Sequence, residues 1–255
     1  MPTIVACFKW VIDEAYIRAG PSGEVDLSSV SWKLSDYDRN AIEEAVRLRD
    51  EHGGTVIAAT VGAPGATKGI KDALSRGPDR ACVAADEGFR DLEPSQTAAL
   101  LAAMVSGPIG AYDLVLCGEG SSDLYAQQVG PRLAEKLGIP CVCFAQKVSL
   151  EGRRVIVERR VEEGVEVLEA PLPALVTVLP DINSPRIPGV RDTLMASKKP
   201  VETLSAGDLP PVPAARTETV ELRTARLERT CERFGAEPAE IVRFVDALRR
   251  RNVLT

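Results

Sequence analysis

Two patterns of hydrophobic and polar positions alternate through the first 138 residues. Continuous apolar runs are typical of strands buried on both faces of a parallel sheet, and segments with apolar residues at helical spacing follow them. This alternation calls for a mainly parallel sheet with right-handed crossovers, and so predicts an α/β fold with a doubly wound sheet. The predicted strands are Thr3–Phe8, Thr55–Val61, Arg80–Ala84 and Leu114–Leu116.

The helices between these strands are predicted from their start and stop signals. The first begins at Ser35–Asp38, with Asp38 as a plausible N-cap, and ends at Gly53-Gly54. Before it, alternating runs at Val25–Leu27 and Val30–Trp32 predict a hairpin excursion that includes the turn residues 20–23. The other predicted helices run from Lys68 through Leu74, over Ser95–Val105, and along Ala126, Val129, Leu133 and Leu137.

The pattern changes after Pro140. Three strand-like runs separated by glycine-containing turns predict an antiparallel meander, and a fourth apolar run follows it. The loop Asp181–Pro188 is stiffened by two prolines, and we expect Ile182 and Ile187 to lie outside the core. The four runs are Cys141–Leu150, Arg154–Arg160, Val165–Glu169 and Leu172–Val178.

The last fifth of the chain, residues 201–255, is predicted to be an appendage to a domain formed by residues 1–200. Residues 201–215 include the proline-rich stretch Pro210–Ala215, which is typical of a stiff linker. An arm rich in Arg and Glu follows, and then a predicted helix, Pro238–Arg250. The arm and helix of residues 201–255 pack either on another subunit or back on their own domain.

Composition narrows the class of protein. The 255 residues are 45% hydrophobic and 27% charged, with a net charge of −6, which argues against general nucleic-acid affinity. No apolar run is long enough to span a membrane and no signal peptide is recognisable, so we expect a cytoplasmic protein without membrane insertion. The six cysteines suit reduced thiols; Cys141 and Cys143 share a strand face, but with a single histidine in the chain they do not indicate a metal site.

The stretch Asp113–Gly138 carries the strongest signal for chemistry. A buried strand, the small-residue loop Gly118–Asp123 and a helix start form an arrangement that suits phosphate, because the first helical turn presents unpaired N–H groups and the positive end of the helix dipole. Gln127 and Gln128 would then lie in the first turn, either donating to phosphate or ribose oxygens or forming a surface pair. The residues therefore predict a nucleotide held at this loop.

Catalytic patterns are missing from the sequence around that loop. The turn at Gly62–Lys68 departs from a Walker A motif, because Thr67 and Gly69 stand where the motif needs Gly and Ser or Thr. His52 lies at a helix end, where a capping role fits, and Ser121 and Ser122 have no local base. We expect a nucleotide-holding protein without acid–base chemistry of its own.

Several segments, in the same order, resemble the β subunit of electron transfer flavoproteins, most closely the Fix-type subunits. The similarity runs from Thr3 to about Leu209, and its motifs are widely spaced along the chain. They are Lys9–Asp13, Tyr37-Asp38 with Ala41–Ala45, Leu74–Asp79, Cys117–Gly130, Asp181–Arg186 and Ala196–Pro200.

This resemblance implies a non-catalytic subunit in a heterodimer with an α subunit, on an adenine nucleotide α-hydrolase-like, Rossmann-like fold. The dimer would carry FAD, held mostly by the α subunit and shielded by the β subunit, which also buries AMP or, in electron-bifurcating members, a second FAD. Electrons would pass from an acyl-CoA-type or other dehydrogenase to a quinone oxidoreductase or a ferredoxin-like acceptor. Ile182, with Arg186 beside it, matches the segment that docks on such dehydrogenases. The implied cofactor-binding residues are Cys7, Ser35, Asp36, Tyr37, Asp38, Val61, Gly118, Glu119, Gly120, Ser121, Ser122, Asp123, Ala126, Gln127, Gln128 and Val129.

The residues leave the choice of nucleotide and two other functions open. AMP-binding members commonly have Asn-Gln-Thr-Gly where this chain has Gln127-Gln128-Val129-Gly130, so a second FAD is an alternative to AMP. A stand-alone adenine-nucleotide sensor resembling universal stress proteins would use the same fold. A hydrolase acting through Gly118–Asp123 is the third possibility.

Overall fold

The computed structural model describes residues 1–20, 23–224 and 231–254. Pro21 and Ser22 of the predicted turn, residues 225–230 of the predicted arm, and residue 255 lie outside the described part. The strands, in chain order, are β1 (Thr3–Cys7), β2 (Trp10–Ile12), β3 (Arg18–Ala19), β4 (Val25–Asp26), β5 (Trp32–Leu34), β6 (Thr55–Gly62), β7 (Arg80–Ala85), β8 (Leu114–Gly118), β9 (Cys141–Glu151), β10 (Arg154–Val161), β11 (Gly164–Pro171), β12 (Ala174–Val178) and β13 (Val201–Leu204).

Six α-helices and four short 3₁₀ helices accompany these strands in the described residues. The α-helices are α1 (Asp36–His52), α2 (Lys68–Ser75), α3 (Pro94–Ser106), α4 (Val129–Leu137), α5 (Val190–Ala196) and α6 (Pro238–Arg250). The 3₁₀ helices are Glu14–Tyr16, Pro64–Thr67, Glu87–Phe89 and Ala206–Asp208.

A nine-stranded sheet organises the fold, in the order β11-β10-β9-β12-β8-β1-β6-β7-β13. The seven strands from β9 to β13 pair in parallel, and β9, β10 and β11 pair antiparallel. The predicted α/β class with a mainly parallel sheet and an antiparallel meander is confirmed. The meander is not a separate layer, because it extends one edge of the main sheet.

The core lies on both faces of this sheet. Alternate side chains of a strand point to opposite faces, so Ile4 and Ala6 of β1 pack in one cluster with α1 and α2, whereas Val5 and Cys7 pack in the other with α3 and α4. All four side chains are buried. β1 is central in the sheet, and the loops that leave its carboxyl end are therefore well placed for a ligand.

Three local predictions are wrong. Asp38 is not the N-cap, because α1 begins at Asp36 with Ser35 before it, and Asp38 lies buried in the first turn. The two runs of the predicted hairpin do not pair with each other, since β5 pairs with β2 and β4 with β3. The linker does not start at residue 201, because β13 adds to the edge of the main sheet beside β7.

The described chain divides into two compact units. The larger comprises Met1–Arg18 and Asp26–Val220, and the smaller comprises Ala19–Val25 with Glu221–Thr255. The proline-rich stretch belongs to the larger unit, where the Pro213 carbonyl accepts a hydrogen bond from Gln96 at 2.7 Å. In the smaller unit α6 has the predicted bounds, and Phe244 makes an edge contact with Phe234 at 5.4 Å between ring centroids.

Candidate functional site

The candidate site lies at the carboxyl ends of β1 and β8, where two loops meet the start of α1. The chain after β1 passes through Lys9, whose carbonyl accepts a hydrogen bond from the Ser35 N–H at 3.0 Å. The chain after β8 forms the segment 119–128, which we call the β8–α4 loop. Carboxyl ends of parallel strands are the usual place for ligands in open α/β sheets.

Asp38, in the first turn of α1, connects this helix to the segments that follow β1 and β8. Its carboxylate accepts hydrogen bonds from the Lys9 N–H at 2.8 Å and the Gly118 N–H at 3.3 Å. Burial raises the pKa of this carboxyl to about 7, although both hydrogen bonds favour the charged form. Gly118 has to be glycine here, because a Cβ would lie 2.7 Å from the Tyr37 Cβ and 2.8 Å from Asp38 Oδ1.

Two serines join the β8–α4 loop to the start of α1. The Ser122 N–H donates to Ser35 Oγ at 3.3 Å, and the Asp36 N–H approaches Ser122 Oγ at 3.4 Å. Ser35 is buried, so its hydroxyl holds the loop from inside the protein. These hydroxyls therefore act in loop positioning and do not have the partners of a nucleophile.

Lys9 and Asp123 form the principal ion pair of the site. Lys9 Nζ lies 2.6 Å from Asp123 Oδ2, and Ser121 Oγ donates to the other carboxylate oxygen. Partial burial raises the pKa of Asp123, but Lys9 and the Ser121 and Leu124 hydrogen bonds outweigh it, so that the pKa is lowered overall. The Lys9 side chain is 44% exposed, so a ligand phosphate could approach it beside Asp123.

The far half of the β8–α4 loop has a strained backbone. Tyr125 and Gln127 have φ values of 45° and 56°, in the left-handed region that L-residues seldom adopt. The Tyr125 ring packs on Tyr37 with centroids 5.1 Å apart, and Gln127 Nε2 approaches Glu119 Oε2 at 3.5 Å. Such strain persists only where the surroundings hold it, and it is concentrated at functional sites.

The two glutamines do not lie in the helix, contrary to the sequence-based prediction. α4 begins at Val129, so Gln127 and Gln128 precede it and Ala126 is an exposed loop residue. Gln128 is exposed, and its Oε1 accepts a hydrogen bond from Arg132 Nε at 3.0 Å, so its amide nitrogen is the atom left to donate. The missed signal is Pro131, which suits the first turn of a helix and not its middle.

The remaining predicted residues divide into two groups. Cys7 and Val61 are buried in the core cluster under α3 and α4, at the carboxyl ends of neighbouring strands, and are not part of the loop. Glu119 is buried and anchored by its N–H to the Val178 carbonyl at 3.0 Å, while the Cβ of an alanine at 120 would lie 2.7 Å from the Tyr125 ring. Lys9 and Tyr125 are the site residues missing from the implied cofactor-binding set, although Lys9 directly follows a buried strand, whose carboxyl end is where a ligand is expected.

The loop Asp181–Pro188 borders an open cavity in the surface near the start of α1. Arg186 is fixed to Glu43 by two side-chain hydrogen bonds, from Nε at 2.8 Å and from Nη2 at 2.9 Å. Ile182 is half-buried and packs against the core, which corrects the expectation that it lies outside. Ile187 is 94% exposed. It borders an open cavity of about 480 Å³ whose other lining residues are Asp36, Arg39, Asn40, Arg76 and Pro185.

The described residues contain neither a candidate metal site nor a helix that could span a membrane. No group of three or more His, Cys, Asp or Glu side chains there could hold a metal ion. None of the helices described is long and apolar enough to cross a membrane.

A family model matches most of the chain. The model of the electron transfer flavoprotein domain covers residues 23–209, which includes the whole β8–α4 loop and all nine strands of the main sheet except β1. The match therefore covers the β8–α4 loop and the start of α1, whereas Lys9 precedes the matched residues.

Proposed function

Because the chain belongs to the electron transfer flavoprotein family, we propose that it is the β-type subunit of a heterodimeric electron carrier and that it holds an adenine nucleotide at the β8–α4 loop. Members of this family are associated with flavin and carry electrons instead of catalysing a reaction. The observation that carries the proposal is the junction of this loop with Lys9 and the start of α1 at the carboxyl edge of the sheet.

The chemistry of the donors and acceptors fits a nucleotide. Lys9 and the amides of Gln127 and Gln128 supply donors for phosphate, together with the first N–H groups of α4, which have no partner within the helix. The Glu119 carboxylate suits a ribose hydroxyl, as acidic side chains do in dinucleotide sites. Lys9 would exchange part of its contact with Asp123 for the incoming phosphate.

Assignment to the β type rests on the segments that resemble that subunit. In this assignment the α subunit holds most of the first FAD and the present chain shields it, with Tyr37 near the isoalloxazine. Leu124 and Tyr125 support a covered surface, because both are exposed apolar side chains directly beside the site.

The nucleotide of this subunit is AMP or a second FAD. Val129 opens α4 where AMP-binding members commonly have a threonine, so the hydroxyl that would bind a phosphate oxygen is missing. This difference favours the FAD of the electron-bifurcating subunits.

Electron donors would dock at the loop Asp181–Pro188, next to the cavity bordered by Ile187. A dehydrogenase, of the acyl-CoA type or another, would contact Ile182, the implied anchor, together with the exposed Ile187, and Arg186 would be held in place by Glu43. The acceptor would be a quinone oxidoreductase or a ferredoxin-like protein.

Co-expression with the product of the adjacent gene tests the proposal. We expect a yellow heterodimer, whose nucleotides are then released and quantified. One FAD and one AMP indicate a simple carrier, and two FAD indicate bifurcation. A colourless heterodimer, or no heterodimer, contradicts the proposal, and nucleotide binding by the isolated chain without flavin would point to the sensor.

The position of the nucleotide is tested by the double variant Gln127→Ala/Gln128→Ala. We expect the heterodimer to lose most of this subunit's nucleotide and to keep the FAD of the α subunit. Ile187→Ala is the control, because it truncates an exposed loop side chain outside the β8–α4 loop. Unchanged nucleotide content in the double variant would place the nucleotide elsewhere. Gly118→Val is less informative, since a Cβ at 118 collides with Tyr37 and Asp38 whether or not a nucleotide is bound.

A further inference from the structure

Cys141 and Cys143 form a dithiol that the proposed function does not use. Their sulfurs are 3.7 Å apart on one face of β9, with Cys141 exposed and Cys143 half-buried. We propose that these two residues are a reversible redox pair, which low-molecular-weight disulfides such as oxidised glutathione convert into an intramolecular disulfide. This inference is independent of the nucleotide site.

The backbone around the pair departs from regular pairing. The register between β9 and β12 shifts between Val176 and Val178, and the register between β9 and β10 shifts between Glu158 and Arg159. Phe144 has a φ of 65°, and its N–H donates to the Thr177 hydroxyl at 3.1 Å instead of to a ladder carbonyl. Forming a bond of about 2.05 Å requires the sulfurs to approach by about 1.7 Å, and these irregularities permit local adjustment that an unbroken ladder would resist.

The surroundings distinguish Cys143 from the other thiols. The hydrogen bond from Cys141, together with Thr177 and the charge of Arg159, lowers the pKa of Cys143 to about 6 despite partial burial. The pKa of Cys141 is raised by the same hydrogen bond. Burial raises the pKa of Cys82 to about 11, and the hydrogen bond with Cys7 and burial raise that of Cys117. Thiolates and not thiols are nucleophiles, so Cys143 is the attacking sulfur.

The reaction balances as two thiol–disulfide exchanges. The Cys143 thiolate attacks one sulfur of oxidised glutathione, forms a mixed disulfide and releases one glutathione thiolate. Cys141 then gives up its proton to solvent and attacks Cys143 Sγ, which releases the second glutathione. Two protein thiols are oxidised and one glutathione disulfide is reduced. The small ring of a Cys-x-Cys disulfide is strained, so excess thiol reopens it and the pair responds to oxidising conditions.

Thiol mapping of the full-length chain tests the pair. The reduced protein is treated with oxidised glutathione, and the remaining thiols are alkylated with N-ethylmaleimide. The protein is then digested, and the masses of the peptides are measured by mass spectrometry. We expect the peptide with Cys141 and Cys143 to lose two hydrogens, to carry neither glutathione nor maleimide, and to recover both thiols with dithiothreitol. Cys231, the exposed cysteine of the smaller unit, is the internal control and should carry glutathione or maleimide. If Cys141 and Cys143 both take maleimide while Cys231 is modified by glutathione, the proposal is wrong.

The variant Cys141→Ser separates the two steps. We expect a mixed disulfide with glutathione to accumulate at Cys143, whereas in the wild-type chain it should be resolved. Phenylarsine oxide provides a readout without oxidation, because one arsenic atom bridges two neighbouring thiols. The wild-type chain should bind one equivalent at Cys141 and Cys143 and the variant none there. A persistent mixed disulfide in the wild-type chain would also overturn the proposal.

Discussion

Asp38 is a buried carboxyl that accepts hydrogen bonds from two loops, and its protonation should affect stability. Burial raises its pKa to about 7, whereas in the unfolded chain an aspartate titrates near 4. The folded protein therefore binds this proton more tightly, and the stability from Asp38 is fully present below about pH 4 and is lost as the pH rises to about 7. The loss amounts to about 4 kcal/mol for a difference of roughly three pH units.

Urea unfolding of Asp38→Asn and of the wild-type chain at pH 4 to 8 measures this effect. The Asn side chain stays neutral and cannot accept both N–H bonds, so it carries a constant penalty at every pH. We expect the stability of the variant relative to the wild type to rise by about 4 kcal/mol from pH 4 to 8. A difference that does not change with pH would show that Asp38 is already ionised at pH 4.

Gly118 is required by close packing at the end of β8. The substitution Gly118→Ala would place a methyl group within 3 Å of Tyr37 and Asp38, and we expect it to destabilise the chain by about 1–3 kcal/mol through overpacking. Gly65→Ala is the matched control in another strand-to-helix turn, because a Cβ at 65 meets nothing within 4 Å. Thermal unfolding of both variants decides the point, and equal melting temperatures would contradict the close contact.

Single residues of the site were predictable where they follow a strand, and less so where a tertiary contact decides their role. Gly118–Asp123 was recognised because small residues after an apolar run indicate a loop. The role of Asp38 was mistaken, because an aspartate near a helix start usually caps it. Only the fold shows that Lys9 and Gly118 turn their N–H groups toward this carboxylate.

At the scale of elements, apolar runs in the sequence locate the strands, but start and stop residues do not always locate the ends of the helices. The bounds of α6 are as predicted, because Pro238 suits a helix start. The helix α4 starts three residues later than predicted. Ala126 has the spacing of the apolar face of the helix, but the residues on either side of it, Tyr125 and Gln127, have left-handed backbone that cannot belong to the helix. The helix α5 was missed because it is short and follows a proline-rich loop.

The two isoleucines of the loop Asp181–Pro188 should differ in their effects on stability. Ile182 packs against the core and Ile187 is 94% exposed. We expect Ile182→Ala to cost about 1–2 kcal/mol, roughly half the loss for a fully buried side chain, and Ile187→Ala to leave the unfolding free energy unchanged. Urea unfolding of the two variants measures this difference, and equal losses would contradict the burial of Ile182.

The same two variants separate an effect on stability from an effect on docking. If the loop contacts a dehydrogenase, Ile187→Ala should slow electron transfer from it while the variant remains as stable as the wild type. Ile182 alone cannot serve in this test, because its truncation changes the fold as well as the surface. Unaltered transfer rates in Ile187→Ala would remove this residue from the docking surface.

At the scale of the whole molecule, the order of strands explains why the start of the last fifth of the chain is wrongly predicted as a linker. β13 has only four residues and precedes a proline-rich stretch, so local pattern favours a linker. Its place beside β7 depends on a pairing across about 120 residues, which no short window contains. Leu209 is buried and Leu204 and Val212 are partly buried against the core cluster under α3 and α4.

Two truncations test where the larger unit ends. A chain that stops after Val220 keeps all nine strands of the main sheet and Leu209, so we expect its melting temperature to stay close to that of the full chain. A chain that stops after Pro200 loses β13 and the burial of Leu209, worth about 2–3 kcal/mol for the leucine alone. At 2–4 °C for each kcal/mol in a domain of this size, its melting temperature should fall by about 5–10 °C or more. Hydrogen exchange at β7 provides the local readout, because β13 pairs with β7 at the edge of the sheet. The amides of β7 should exchange faster only in the shorter chain. If both truncations behave alike, β13 does not stabilise the sheet, and the boundary predicted at residue 201 would be the functional one.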